Sequence, residues 1–488
     1  MSDFTEIGPN RLRRNSLGLV AVTFMVISAA APLTGVAGAM PIAFLLGNGT
    51  GIPLTFLLLT LVMLAFAAGY VAMSRHVINA GAFYAYAARG LGGSWGGAVS
   101  VMALVAYNTM QFGLIGLLGG ISAGVFSQFG LMLDWWVYSL IAILLVGILG
   151  YRQVDLSAKV MVVLVGLEYL VVLIVDFAIL GAGGAEGQGL AVNIFDVSAL
   201  TSGSLTAAIL FCLGSFIGIE ATTIYGEEAR DPARTIPRAT YLSILMIGVF
   251  FVFTTWLMIA GTGADKLLET IGGLTLPDGT PDPTIHFFML AEMYTNPTVA
   301  MVAGLLLVSS LFAALSAFHN YIARYSYVAG RDGLLPEAFG RTHGAHQSPH
   351  IGSVVQTIGA LIVLAVFAGL GLDPILNMFT WISQIGTLGV IGMMAITSLS
   401  VIVFFARNGG GSFLSTLLLP AIAGLIMAAL FVYIFVNYGD LTGTAGGGLS
   451  VILPGLIPLG ALIGLLLARR LKSADPQRFA RMGQNPNG

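Results

Sequence analysis

The sequence predicts an all-α polytopic membrane protein, and three observations carry that expectation. Hydrophobic residues fill 57% of the 488 positions and charged residues only 9%. A soluble domain carries about 25% charged residues, so this chain has too few to clothe a water-facing surface. Mean hydropathy is +0.93. Long apolar stretches recur along the whole chain, each near the roughly 20 residues that a helix needs to cross the hydrocarbon. The same composition excludes other classes. A net charge of −2 leaves no strongly basic face, so no nucleic acid is expected as a partner. A single cysteine, Cys212, excludes a disulfide scaffold and a cysteine-built zinc site. No HExxH, GxSxG or metal-ligating cluster marks an enzyme. No cofactor and no metal are expected. The expected partners are the lipid bilayer and a small-molecule substrate, with protons a candidate and the oligomeric state open.

Twelve stretches qualify as transmembrane helices: about 16–46, 52–74, 95–126, 134–150, 157–181, 203–228, 238–262, 297–330, 351–370, 374–405, 413–438 and 450–470. The first is too long for a signal peptide and lacks a small-residue cleavage pattern. Placing both termini in the cytoplasm puts every Lys and Arg of the chain except Lys266 on the inner side, as the positive-inside rule requires. That bias supports an even number of spans in the cytoplasmic (inner or plasma) membrane. The tails, 1–15 and 471–488, are short and polar and are expected to be partly disordered. The one sizeable outer loop, 263–296, reads equally as a mobile lid or a long connector.

Most glycines inside the spans are expected to serve helix packing, Gly116, Gly120 and Gly455 among them. Two places read differently. In the first span, Ala31-Pro32-Leu33-Thr34-Gly35-Val36 interrupts an apolar helix at mid-depth, and Pro32 removes a backbone donor. In the sixth, Gly214-Ser215-Phe216-Ile217-Gly218-Ile219-Glu220 does the same. Taken singly, one is a proline kink and the other a small-residue packing face. Taken together, they lie five spans apart, in segments that run in opposite directions. Interrupted helices at matching places of two inverted halves point to a secondary transporter's substrate site. The expected organisation is therefore a repeat over 16–181 (spans one to five), an inverted repeat over 203–405 (six to ten) and two extra helices over 413–470.

The chemistry of such a site follows from the unpaired backbone groups at each break. The amides after Pro32, on Leu33, Thr34, Gly35 and Val36 with Ala31 beside them, can hold a carboxylate. The carbonyls around Gly214, Ser215, Phe216 and Ile217 can accept from an ammonium. A ligand with both groups on adjacent atoms is an α-amino acid. Pocket walls are expected from Tyr107, Asn108 and Gln111 in the third span and from Phe379, Trp381 and Gln384 in the tenth.

Charges at mid-membrane cost about 2.5–3.5 kcal/mol on insertion scales and are functional candidates by default. Glu168, in the fifth span, is read as a proton-binding coupling group or as a hydrogen-bonded structural acid. Glu220, just past the second break, is read as a gate or pH-sensing residue or as a structural partner. Asp176 carries no assigned role, and His319 reads as a packed histidine. In the inner loops, Glu227 and Glu228 beside Arg230, Arg234 and Arg238 face the Arg331-Asp332 loop, a possible ion-pair latch or a solvated surface.

Three blocks resemble the amino acid–polyamine–organocation superfamily. One is Gly218-Ile219-Glu220 with Glu227-Glu228, Asp231-Pro232 and Ile236-Pro237-Arg238-Ala239. Another runs from Arg324-Tyr325-Ser326 through Gly330-Arg331-Asp332-Gly333 to Pro336. The third is Asn79-Ala80-Gly81-Ala82-Phe83-Tyr84. The resemblance implies a LeuT-like 5+5 inverted repeat with discontinuous helices 1 and 6. It also implies amino acid transport by alternating access, proton-coupled or exchanging. The alternative it carries is a polyamine or amine permease using Glu168 or Glu220 as counter-charge. The sequence departs from the family at the first break, where Pro32-Leu33-Thr34-Gly35 replaces a glycine-serine-glycine motif. It departs again at Glu168, where several relatives carry lysine. Gly214 stands where some relatives place an aromatic gate, which implies a roomier pocket or a gate supplied elsewhere.

Overall fold

The computed structural model describes residues 17–77, 79, 81–152, 158–186, 189–225, 229–276, 279–443 and 447–484. The tail 1–15 and the pair Glu227 and Glu228 lie outside the described residues. Among the described residues there are helices and three isolated β-bridges, and no strand. In chain order the helices that matter below are α1 Leu19–Leu46, α2 Gly49–Ser74, α3 Phe83–Leu91, α4 Gly93–Ser127, α5 Trp135–Tyr151, α6 Ala158–Ala182, α7 Leu205–Gly214 and α8 Pro232–Thr262. They continue with α9 Leu267–Gly272, α10 Ile285–Tyr294, α11 Pro297–Arg331, α12 His350–Gly369, α13 Pro374–Asn408, α14 Leu414–Val436, α15 Gly448–Ala474 and α16 Pro476–Ala480.

Ten of these are long and apolar enough to cross a membrane. Two further apolar helices, α5 with 17 residues and α7 with 10, fall in the fourth and sixth sequence stretches and are shorter. In the sixth stretch the chain leaves the helix after Gly214 and regains one turn only at Ala221–Ile224.

Helix starts follow local chemistry. The Asn296 side chain accepts from Val299 N–H at 3.1 Å with Pro297 in the first turn of α11. Asp373 accepts from the amides of Ile375 and Leu376 at 2.8 and 2.6 Å at the start of α13. Each cap satisfies donors that a helix N-terminus otherwise leaves unpaired.

The centre of the bundle is α4, which packs against α11, α13 and α15. Small residues set those approaches. A Cβ on Gly116 would lie 2.6 Å from Pro374 O, and one on Gly120 would lie 2.9 Å from Ile375. Gly455 does not share this role, because nothing lies within 4 Å of the space its side chain would take. In α15 the close contact is made instead by Gly464, whose Cβ would overlap Gly97 O at 2.1 Å. Its outward apolar side chains, with those of α14, include Leu425, Val432 and Val451, each more than half exposed; they suit lipid.

Two expectations about the periphery change. The described part of the loop 263–296 is folded: α9 and α10 bury Leu267, Ile271, Phe287 and Leu290, and α9 rests on the second half of α1. The described part of the C-terminal segment, up to Gln484, is packed against the bundle. Arg478 donates to Gly330 O at 3.1 Å and to Arg331 O at 2.8 Å. Met482 is buried, and Gln484 O accepts from Asn79 at 2.9 Å. An apolar side chain and three bonds to backbone oxygens hold the described part of what composition alone read as a short, polar, partly disordered tail.

Candidate functional site

The first break has a local cause. Pro32 disfavours the helical conformation at the residue before it, and Ala31 adopts φ 46° and ψ 74°, a left-handed conformation uncommon for alanine. The Ala31 amide still bonds Ile27 O at 3.0 Å, closing the first half of α1. The chain then resumes as a wide helical turn over Thr34–Ala39.

The second break is built from tight turns. Phe216 N–H donates to Leu213 O at 2.9 Å, Ile217 N–H to Gly214 O at 3.2 Å and Ile219 N–H to Phe216 O at 3.3 Å. Gly218 sits at φ 112°, where glycine is nearly obligatory. A Cβ there would stand 2.9 Å from Ala29 Cβ and 3.3 Å from Val26 O. The two breaks therefore touch each other, although about 190 residues of chain separate them.

Between them lies a cavity of about 50 Å³, room for a few waters at ~10–15 Å³ each. Of the residues singled out by sequence, Ala31, Thr34, Gly35, Gly214, Ser215 and Ile217 line it. Phe379 and Gln384 line it from α13. The floor and walls also use Met110 and Leu114 of α4, Phe318 of α11, and Ser383 and Thr387 of α13. Two of these five carry a readable signal: Ser383 and Thr387 follow Phe379 at four-residue spacing, one helix face, with Gln384 beside them. The lining holds no Asp, Glu, Lys or Arg.

The other sequence candidates are placed elsewhere. Leu33, Val36 and Phe216 are buried behind the lining. Trp381 is partly exposed on another side of α13, and its carbonyl accepts from Tyr438 O–H at 2.7 Å. Gln111 lines a separate, smaller cavity with His319, and His319 Nε2 pairs with Ser353 Oγ at 2.7 Å. Tyr107 sits one turn from Met110, toward Glu220. Its hydroxyl donates to Glu220 Oε1 at 2.8 Å, and Gly218 N–H donates to Oε2 at 2.9 Å. Tyr70 O–H also reaches Glu220 O at 2.9 Å. Glu220 thus ties α2, α4 and the second break together below the cavity, through buried tyrosines rather than a cation. Asp176 accepts from Thr254 at 2.7 Å.

The first-break amides are partly taken. Leu33 N–H donates to Glu168 Oε2 at 3.3 Å, across 135 residues of chain. Gly35 N–H donates to Ala31 O at 3.0 Å. A Cβ on Gly35 would meet the Phe251 ring at 2.4 Å, so that side of the glycine is filled by α8. Gly214 faces α13: a Cβ there would stand 3.3 Å from Thr387 Oγ1, a tight contact, and 4.0 Å from Gln384 Oε1.

Away from the cavity, at the end of the bundle that holds the C-terminal segment, two of the family-like blocks meet. Tyr84 O–H donates to Asp332 Oδ2, and Gly483 N–H approaches the same oxygen at 3.4 Å. Arg331 pairs with its neighbour Asp332 at 3.4 Å and Arg234 with Asp231 at 3.6 Å. The loop after α11 is thereby fastened to α3 and to the C-terminal segment.

A profile described as "Amino acid permease" matches residues 21–476. The chain belongs to the amino acid permease family. It is 25% identical over 371 residues to the low-affinity putrescine importer PlaP of Escherichia coli (strain K12), spanning 74% of this chain and 77% of that protein. It is 24% identical over 365 residues to the branched-chain amino acid permease BcaP of Lactococcus lactis subsp. cremoris (strain MG1363), spanning 70% and 74%. A crystal structure of a mutant manganese transporter from Eremococcus coleocola superposes with a TM-score of 0.53 at 14% identity, covering 94% of each chain. That likeness speaks to the fold alone. Permease-family membership and the membrane-spanning helices make this an integral membrane transporter of small molecules, not an enzyme.

Proposed function

We propose that this permease carries an α-amino acid across the cytoplasmic membrane by alternating access, with both termini inside. The single observation behind the choice is the uncharged lining of the cavity between the two breaks. Burying an unpaired charge is costly. A diamine would bring two positive charges into a site whose lining offers no carboxylate. A zwitterion brings charges that cancel, and its two ends can be met by dipoles and hydroxyls. On this reading the first ten spans form the two inverted repeats, 16–181 and 203–405, and the breaks face each other across the repeat interface.

Glu168 supplies the coupling. Its carboxylate holds the first amide of the resumed helix, Leu33 N–H, and Ser310, which also receives a hydrogen bond from Thr34 at 3.3 Å, lies beside it. Adding a proton to Glu168 weakens it as an acceptor for that amide, so protonation state and the shape of the first break are linked. Proton symport follows; exchange of one substrate for another is the variant that leaves Glu168 structural.

The test is a thermal-shift panel on the purified full chain with the standard L-amino acids and putrescine. A ligand that binds only the folded state raises the melting temperature by mass action. Stabilisation by one or more amino acids and not by putrescine is expected. Stabilisation by putrescine alone would overturn the reading and return Glu168 to the role of counter-charge. Substitution Glu168→Gln is expected to leave that stabilisation in place and to abolish the dependence of uptake on an imposed pH gradient. Unchanged pH dependence would refute the coupling role.

A further inference from the structure

The C-terminal end of α15 carries a charge pattern that lies apart from the cavity. Five cations and one acid fall between positions 469 and 481: Arg469, Arg470, Lys472, Arg478 and Arg481 against Asp475. The acids at this end are already engaged. Asp475 accepts from Arg478 N–H at 2.9 Å, Glu337 pairs with Arg478 at 3.7 Å, and Asp332 is held by Tyr84 and Arg331. Arg478 turns to the carbonyls of Gly330 and Arg331. The other four cations are exposed, and none of them makes an ion pair among the described residues.

Their place on the helix gives the pattern a direction. Leu459, Leu462, Ile463 and Leu466 recur at spacings of three and four and are each about half exposed, a stripe that suits lipid. Arg469 and Arg470 follow Leu466 by three and four residues, so they continue the same stripe. The opposite side of α15 is filled: a Cβ on Gly464 would overlap Gly97 O, and one on Gly97 would stand 2.6 Å from Ala468 Cβ. The arginines therefore face outward with the leucines. Depth agrees. Val451, exposed near the start of α15, and Arg469 are 18 positions apart. At 1.5 Å per residue that is about 27 Å, close to the roughly 30 Å of hydrocarbon. A lipid whose chains lie along Leu462 and Leu466 brings its headgroup to Arg469 and Arg470. Lys472 stands one turn further on, its ammonium 5.8 Å from the centre of the Phe479 ring.

We propose that the end of α15 is a docking surface for an anionic phospholipid, with Arg469 and Arg470 gripping the headgroup phosphate and Lys472 adding a point charge beside it. The guanidinium fork matches phosphate oxygens in a bidentate way that an ammonium cannot. The leucine stripe selects a lipid over a soluble phosphate, and the unpaired cations select an anionic lipid over a zwitterionic one. The proposal is independent of which substrate is carried, so it stands or falls separately from the amino acid reading.

The experiment titrates the purified full chain in detergent with phosphatidylglycerol, phosphatidylcholine or glycerol 3-phosphate and follows the melting temperature, since a ligand of the folded state raises it. The parent is expected to be stabilised by phosphatidylglycerol well beyond phosphatidylcholine, and not by glycerol 3-phosphate. Each cation near a membrane surface is worth about fivefold in apparent affinity. The double variant Arg469→Gln, Arg470→Gln is therefore expected to need ~25-fold more phosphatidylglycerol for the same shift, while melting like the parent in phosphatidylcholine. Arg234→Gln, in the first turn of α8 beside Asp231, removes one exposed cation elsewhere and is expected to keep the parental response. If the double variant melts low even in phosphatidylcholine, Lys472→Gln decides instead, with a loss of about fivefold expected. A parent that does not distinguish the two lipids overturns the proposal, as do arginine variants that keep the parental response or an Arg234→Gln control that loses as much. Equal stabilisation by glycerol 3-phosphate overturns the lipid and leaves a soluble phosphate as the ligand.

Discussion

Replacing Gly218 by alanine is the sharpest perturbation of the paired breaks. Two costs add. The backbone sits at φ 112°, a region in which an L side chain is strained by ~1–3 kcal/mol. The new methyl would also stand 2.9 Å from Ala29 Cβ and 3.3 Å from Val26 O. Neither neighbour is a flexible side chain, so the two broken segments must part, at a further ~1–3 kcal/mol typical of overpacking. Together these give about 2–6 kcal/mol, a large part of the stability of an ordinary domain. The control is the same substitution at Gly455. That glycine lies in α15 with nothing within 4 Å of its would-be Cβ and no positive φ. Alanine there gains up to ~1 kcal/mol of helix propensity. Melting curves of the three proteins in one detergent decide the matter. Gly218→Ala is expected to melt well below the parent and Gly455→Ala at or slightly above it. Equal melting temperatures for Gly218→Ala and the parent would refute the close meeting of the breaks.

Three further predictions follow from single contacts. Tyr107→Phe removes the donor to Glu220 Oε1 at 2.8 Å and should destabilise the fold by about 1–3 kcal/mol, read as a lower melting temperature without loss of the Glu168-dependent pH response. Arg478→Ala removes the bonds to Gly330 O and Arg331 O and the 3.7 Å pair with Glu337; limited proteolysis should then release the segment after Ala474 faster, with little change in melting temperature. In the loop 263–296, burial pushes the Asp282 carboxyl above its ordinary value while Thr284 holds it down in part. The folded state therefore binds that proton more tightly than the unfolded one, and stability falls as pH rises through the ordinary carboxylate range (~3.9) to the raised folded value. Asp282→Asn keeps an acceptor for Thr284 and should flatten that dependence in melting curves taken from pH 4 upward; an unchanged slope would count against it.

The left-handed turn at Ala31 and the positive φ at Gly218 have local causes. Pro32 acts on Ala31 through covalent geometry, and the pair Gly214 and Gly218 inside an apolar stretch marks the second site. The walls were legible only in part. Trp381 is an aromatic in the right span, but the lining is set by helix phase, and Trp381 lies on another side of α13 from Phe379, Ser383 and Thr387. Ser383 and Thr387 share the face of Gln384, and as small polar residues in an apolar helix they carry no mark beyond that spacing. The contact from Glu168 to Leu33 spans 135 positions, so nothing in either local sequence reveals that one candidate occupies another. The C-terminal segment misled for a related reason: its polar composition describes solvent preference, but Met482 and the Arg478 fork find partners supplied by α3 and the loop after α11.

Uptake into proteoliposomes tests the central claim most directly. Purified protein is reconstituted, a pH gradient acid outside is imposed, and entry of labelled L-amino acids is compared with entry of labelled putrescine. Accumulation of an amino acid that collapses with the gradient, with putrescine excluded, is the predicted result. Accumulation of putrescine with no amino acid entering would contradict the account, because it would require a charged partner that the cavity lining does not contain.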